Sequence, residues 1–106
     1  METIKSKQEF ESVFSGGKRA NDRLVRITVL ENDEGGPDKV AFVAAKRLGN
    51  AVYRNRCKRV LREAARQCGM PWDKKKVIIF ATRHTHDSNP AQVAAALTAL
   101  RQRFGA

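Results

Sequence analysis

The chain has 106 residues, 42% of them hydrophobic, and carries 21 Lys and Arg against 11 Asp and Glu for a net charge of +10. That length supports one domain on one core, residues 1–106, and not two; the apolar content argues against disorder despite the charge. No run is long and apolar enough to span a bilayer, and the opening Met1-Glu2-Thr3-Ile4-Lys5 lacks an apolar signal segment, so the expectation is a cytoplasmic protein with no membrane partner.

In chain order, Ser6-Lys7-Gln8-Glu9 has capping-box spacing and predicts a short helix that carries Phe10, Val13 and Phe14 on one face and stops at Gly16-Gly17. Lys18-Arg19-Ala20 fits a short strand. Leu24 to Leu30 alternates, with Val25, Ile27 and Val29 on one side and Arg26 and Thr28 on the other. The breaker-rich segment from Glu31 to Asp38 predicts a turn, and Val40 to Ala45 a second long strand that ends directly at Lys46.

The charge is concentrated in the next segment. Lys46 to Arg66 holds eight Lys or Arg and one acid, Glu63, for +7 of the chain's +10. Tyr53, Cys57, Val60, Leu61, Ala64, Ala65 and Cys68 recur with a 3.6-residue period and predict one buried helix face. Arg54, Lys58, Arg62 and Arg66 then form a ladder four residues apart, with Asn55 and Arg59 alongside and Arg56 further round. A solvated helix face usually mixes signs; here only Glu63 offers a partner, and like charges at this spacing destabilise an isolated helix. Such a strip makes sense opposite a polyanion, because a guanidinium fork binds phosphate oxygens bidentately and stacks on bases. Gly49, in the tight connection before the helix, permits a backbone conformation or approach that a side chain would block.

Gly69 and Pro71 stop the basic helix, and Trp72 is expected to cover a core edge. Lys74-Lys75-Lys76 is read as a solvated basic patch. Val77 to Ala81 is an apolar run suited to an inner strand. Asn89-Pro90 starts a last helix with Val93, Leu97, Leu100 and Phe104 on one face and Arg101 and Arg103 near its C-terminus. The predicted order is α-β-β-β-α-β-α, a two-layer α/β sandwich on one four-stranded, mostly antiparallel sheet. Cys57 and Cys68 lie on the same helix face about 16 Å apart, too far for a disulfide, and read as reduced core residues.

Catalytic apparatus is sparse. His84-Thr85-His86-Asp87 has no third or fourth ligand placed by a local pattern and is read as a polar loop rather than a metal site. There is no Ser/His/Asp arrangement, no phosphate-cradling glycine loop, and no carboxylate cluster of the kind a protein nuclease uses to hold Mg²⁺. The chain reads as a binder.

The run Lys46-Arg47-Leu48-Gly49-Asn50-Ala51-Val52, followed by Arg54-Asn55-Arg56, Lys58-Arg59 and Arg62-Glu63-Ala64, resembles the signature of the bacterial ribonuclease P protein component over about twenty positions. A looser likeness covers nearly the whole chain. The resemblance implies a left-handed βαβ crossover around the basic helix, where strand physics alone favours a right-handed one. It also implies an accessory subunit of an endoribonuclease that removes the 5′ leader of precursor tRNA, with Mg²⁺-dependent hydrolysis carried out by the RNA subunit and no catalytic or metal-binding residue in this chain. Carried over by motif, Lys46, Arg47, Arg54, Asn55, Arg56, Lys58, Arg59 and Arg62 would contact the catalytic RNA. Phe10, Phe14, Arg26 and Thr28 would line a cleft for the single-stranded leader, where bases stack on ring faces. The implied partners are the ribonuclease P RNA and precursor tRNA, with no obligate protein partner. Two other readings share the composition: a small ribosomal or ribosome-assembly protein, and a DNA-binding regulator with the Arg helix in a major groove.

Overall fold

The alternation from Val25 onward and the apolar run before Thr82 meet at the centre of the molecule. In the computed structural model, which describes residues 1–104, the elements are α1 (Lys7–Gly16), β1 (Lys18–Asn21), β2 (Val25–Glu31), β3 (Lys39–Val43), a 3-10 turn (Lys46–Leu48), α2 (Ala51–Gln67), β4 (Lys75–Ala81) and α3 (Pro90–Gln102). One sheet runs β1-β2-β4-β3. β1 with β2 and β2 with β4 are antiparallel, while β3 and β4 are parallel and joined through α2. The predicted order and the mostly antiparallel sheet are what the chain forms. The second long strand is shorter than the run from Val40 to Ala45, because the chain turns into the 3-10 helix at Lys46.

The sheet has two unlike faces. Val25, Ile27, Val29, Val40, Val77 and Ile79 point to one side and bury against Cys57, Val60, Leu61, Ala64 and Ala65 of α2 and Val93, Leu97 and Leu100 of α3. This is the main core, and apolar burial there is the chief stabilising contribution. On the other side α1 covers part of the sheet, with Val13 set against Ala41 and Ile78 and Ile4 packed against the same cluster. A ten-residue helix cannot roof four strands, so part of this face stays open.

Local signals hold where predicted. Ser6 Oγ accepts from Glu9 N at the start of α1, and Asn89 Oδ1 accepts from Gln92 N at the start of α3. Two readings are corrected. Trp72 does not cover an edge: it is 1% exposed, inside the main core. Lys74-Lys75-Lys76 is not a uniformly solvated patch. Lys75 Nζ lies 2.9 Å from Glu31 Oε1, and Lys76 Nζ lies 3.0 Å from Glu9, which also takes Lys39 at 3.1 Å. The pairing follows from register, since Glu31 stands opposite Lys75 and Lys39 opposite Lys76.

That register also sorts charge along the strands. Glu9, Glu31, Asp33, Glu34, Asp38 and Asp73 gather at the end where β2 finishes and β3 and β4 begin. Arg23, Arg26, Arg47 and Arg83 sit at the opposite end. At the N-terminus, Ile4 N donates to Val40 O and Val40 N donates to Glu2 O, a short parallel bridge along the free edge of β3 that no sequence signal announced.

Candidate nucleic-acid interface

The basic helix starts where local chemistry fixes it. Asn50 Oδ1 accepts from Tyr53 N at 2.9 Å, capping α2. Gly49 serves by close approach: a Cβ there would stand 2.8 Å from Tyr53 Cγ, so any side chain would push the first turn away. From that start the periodicity acts as predicted. Cys57, Val60, Leu61, Ala64 and Ala65 are buried, and burial pushes the Cys57 and Cys68 thiols up, so both stay protonated and unreactive.

The opposite face of α2 carries the cations. Asn55, Arg56, Arg59 and Arg62 are exposed, and Arg54 and Lys58 are half-buried. Among the described residues only Arg66 on this helix has a carboxylate partner, Glu63 at 3.4 Å. Several groups are held in place by other means. Arg56 Nε donates to the His86 carbonyl at 3.0 Å, and the His86 ring stacks on Tyr53 at 4.1 Å and 3°. The Arg62 guanidinium lies 5.6 Å from the Phe42 ring centroid. Arg54 Nε is shielded from solvent and has no hydrogen-bond partner. These are positioned donors whose charge nothing in the described chain cancels.

The open sheet face supplies a second surface. Cross-strand pairing lines up Asn21, Arg26, Phe80 and Val43 in one row, and Arg19, Thr28, Ile78 and Ala41 in the next row toward α1. The outer row floors a cleft of about 300 Å³, with Phe14 and Arg47 among its walls. Phe14 is 41% exposed; its ring stacks with Phe10 at 6.3 Å and meets Phe80 edge-on at 6.0 Å, with Arg19 4.6 Å from its centroid. The cleft thus offers aromatic surface framed by guanidinium groups, suited to stacking a base while holding its phosphate.

A family model described as Ribonuclease P matches residues 1–105. The chain belongs to the Ribonuclease P family. Among curated relatives it is 44% identical over 63 residues to the ribonuclease P protein component of Symbiobacterium thermophilum, covering 59% of this chain and 55% of that one. It is 31% identical over 80 residues to that of a Bacillus cereus strain, covering 76% and 70%. The chain therefore spans about half the length of the first of these relatives. In fold it is similar to the Staphylococcus aureus RNase P protein, with TM-score 0.80, 24% identity, and 98% and 95% of the two chains covered. It is likewise similar to the RNase P protein from Thermotoga maritima, with TM-score 0.78, 19% identity, and 97% of each chain covered.

Within this Ribonuclease P fold the residues singled out by sequence divide into two groups. Arg54, Asn55, Arg56, Lys58, Arg59 and Arg62 share one strip on α2, and Lys46 is exposed just ahead of it. Arg47, grouped with the strip by sequence, lines the cleft. Phe14 and Arg26 face the cleft opening, and Phe10 backs Phe14. Thr28 also lines the cleft, but from beneath. It is 1% exposed because its row lies under the end of α1, where a Cβ on Gly17 would come within 2.7 Å of Thr28 Cγ2. It contributes to the wall and offers little surface of its own. Arg19 and Phe80 were missed. The only signal that could have found them is strand register, which pairs Phe80 with Arg26.

Proposed function

We propose that this chain is the protein subunit of a ribonuclease P, binding the catalytic RNA through α2 and the 5′ leader of precursor tRNA in the open cleft, and so assisting endonucleolytic maturation of the tRNA 5′ end. The observation that carries this reading is the row of positioned, carboxylate-free cations on α2, set on a different face from the aromatic cleft. One surface can hold a folded RNA while the other holds a single strand. Membership of the Ribonuclease P family supports the assignment to that complex.

Hydrolysis is assigned to the RNA subunit. Among the described residues no three His, Cys, Asp or Glu side chains are grouped to hold a metal ion. His86 Nδ1 lies 2.9 Å from Asp87 Oδ1, and its ring is stacked on Tyr53. The Mg²⁺ that the chemistry requires would be held mainly by RNA, where it serves as Lewis acid and clamp. The protein's cations replace part of the RNA's counterion atmosphere and so lower its demand for Mg²⁺. The setting is the cytoplasm.

The test is cleavage of precursor tRNA by a bacterial ribonuclease P RNA at low Mg²⁺, with and without this protein. Faster cleavage at the correct 5′ end is the expected result. No acceleration with several bacterial RNAs, the protein being folded, would overturn the assignment and leave a ribosomal or ribosome-assembly RNA binder in its place.

A further inference from the structure

The open face does not end at the row containing Arg26 and Phe80. A second hollow of about 450 Å³ continues from the cleft, sharing Arg26 and Arg47 with it and adding Arg23 and Arg83. The two hollows differ in chemistry. The first is walled by Phe14 and Phe80; the second has no Phe, Tyr or Trp, only the His84 imidazole, to which Arg83 Nε donates at 3.4 Å, and four guanidinium groups. Its one carboxylate, Asp22, is engaged by its own turn, where Oδ1 accepts from Leu24 N at 2.9 Å. None of the four arginines has a carboxylate partner among the described residues.

The ground beneath them is fixed. Thr82 Oγ1 donates to Arg23 O at 2.7 Å, and Thr85 Oγ1 donates to Leu24 O at 2.6 Å while accepting from Thr82 N at 2.8 Å. Thr85 is fully buried. These bonds tie the β1–β2 turn to the loop after β4, so Arg23 and Arg83 project from one shelf rather than from two independent loops. Four like charges converging on one rigid hollow repel each other unless an anion lies between them.

We propose that this hollow is a phosphate-binding extension of the cleft. The backbone of the strand whose bases lie against Phe14 and Phe80 continues across it, with Arg23 and Arg83 bonding its phosphate oxygens. The proposal rests on the leader-binding reading and adds to it a site for the sugar–phosphate chain and two residues outside the aromatic cleft.

The test uses the holoenzyme assembled with a bacterial ribonuclease P RNA, so that the α2 strip is already engaged. Affinity is measured across a salt series for precursor tRNA with a single-stranded leader and for mature tRNA without one. Both side chains are exposed, so the double variant Arg23→Ala/Arg83→Ala removes no core contact. It is expected to weaken precursor binding about tenfold, to leave mature tRNA unaffected, and to flatten the slope of log K against log salt by about 1.4, two phosphates' worth for a single strand. Arg23→Lys/Arg83→Lys should recover most of the loss, since the charge remains. Unchanged precursor affinity, or an equal loss for mature tRNA, would overturn the proposal. Phe14→Ala run in parallel separates the two levels. If it weakens precursor binding while the double arginine variant does not, only the extension fails; if neither it nor deletion of the leader has any effect, the leader reading itself fails.

Discussion

Arg54 shows how a single side chain can be costly to the fold and useful to the function. Its stem is half-buried on α2 and its Nε is shut off from solvent without a partner. A desolvated donor left unpaired costs about 1–3 kcal/mol, a cost the fold bears while holding the guanidinium on the strip. Arg54→Met keeps the stem and deletes the orphan donor. Thermal denaturation of the free protein should therefore give an equal or higher Tm, while affinity for the catalytic RNA in a filter-binding titration falls roughly 10- to 100-fold, as expected for one charge-assisted bond. A parallel loss of Tm would mean that Arg54 serves the fold. Asn50, Gly49 and Tyr53 act the other way: they touch no ligand in this reading, but they set where the strip begins.

Among the elements, α1 does two jobs that pull on the same residue. It roofs one row of the sheet and leaves the next open, and Glu9 anchors it by pairing with Lys39 and Lys76. Partial burial raises the Glu9 carboxyl, but the hydrogen bonds and charges of Lys76 and Lys39 outweigh it and hold the group below its ordinary 4.5. A carboxyl whose pKa is lower in the folded than in the unfolded chain stabilises the fold above the unfolded value and loses that contribution as pH falls through the folded one. Asp38, held down chiefly by its bond from Asn32, adds in the same direction. Urea denaturation should therefore show stability falling as pH drops below about 4.5. Glu9→Gln should be roughly 1 kcal/mol less stable at pH 7 and lose less on acidification; identical pH profiles would refute the anchor. These pairs also mark where sequence reading stops. The strip on α2 was legible because helix periodicity and caps are local, so Arg54 to Arg62 could be placed from spacing alone. Lys75 with Glu31, Lys76 with Glu9, the burial of Thr28 and the meeting of Arg26 with Phe80 all depend on which strands pair and in what register. That information is distributed over positions dozens of residues apart.

For the whole molecule, the relevant quantity is how many phosphates it neutralises. If the strip engages about six, affinity for the catalytic RNA should fall around a thousand-fold between low and moderate salt, with log K linear in log salt. A flat dependence would point to recognition by shape and stacking in place of charge. The fold holds this charge in place without neutralising it, because the main core lies on the far side of α2 from the cations and the carboxylates are engaged elsewhere.

The gathering of carboxylates at one end of the sheet and of arginines at the other has a consequence for motion as well as for contact. Lys39, Lys74, Lys75 and Lys76 offset part of the acidic end, but the remaining asymmetry gives the body a dipole along the strands, and in the field of an RNA it experiences a torque before it touches anything. Diffusing molecules are turned so that the arginine end leads, and a larger share of collisions is productive. Added salt shortens the reach of that torque, so the rate of encounter drops along with the strength of the final grip.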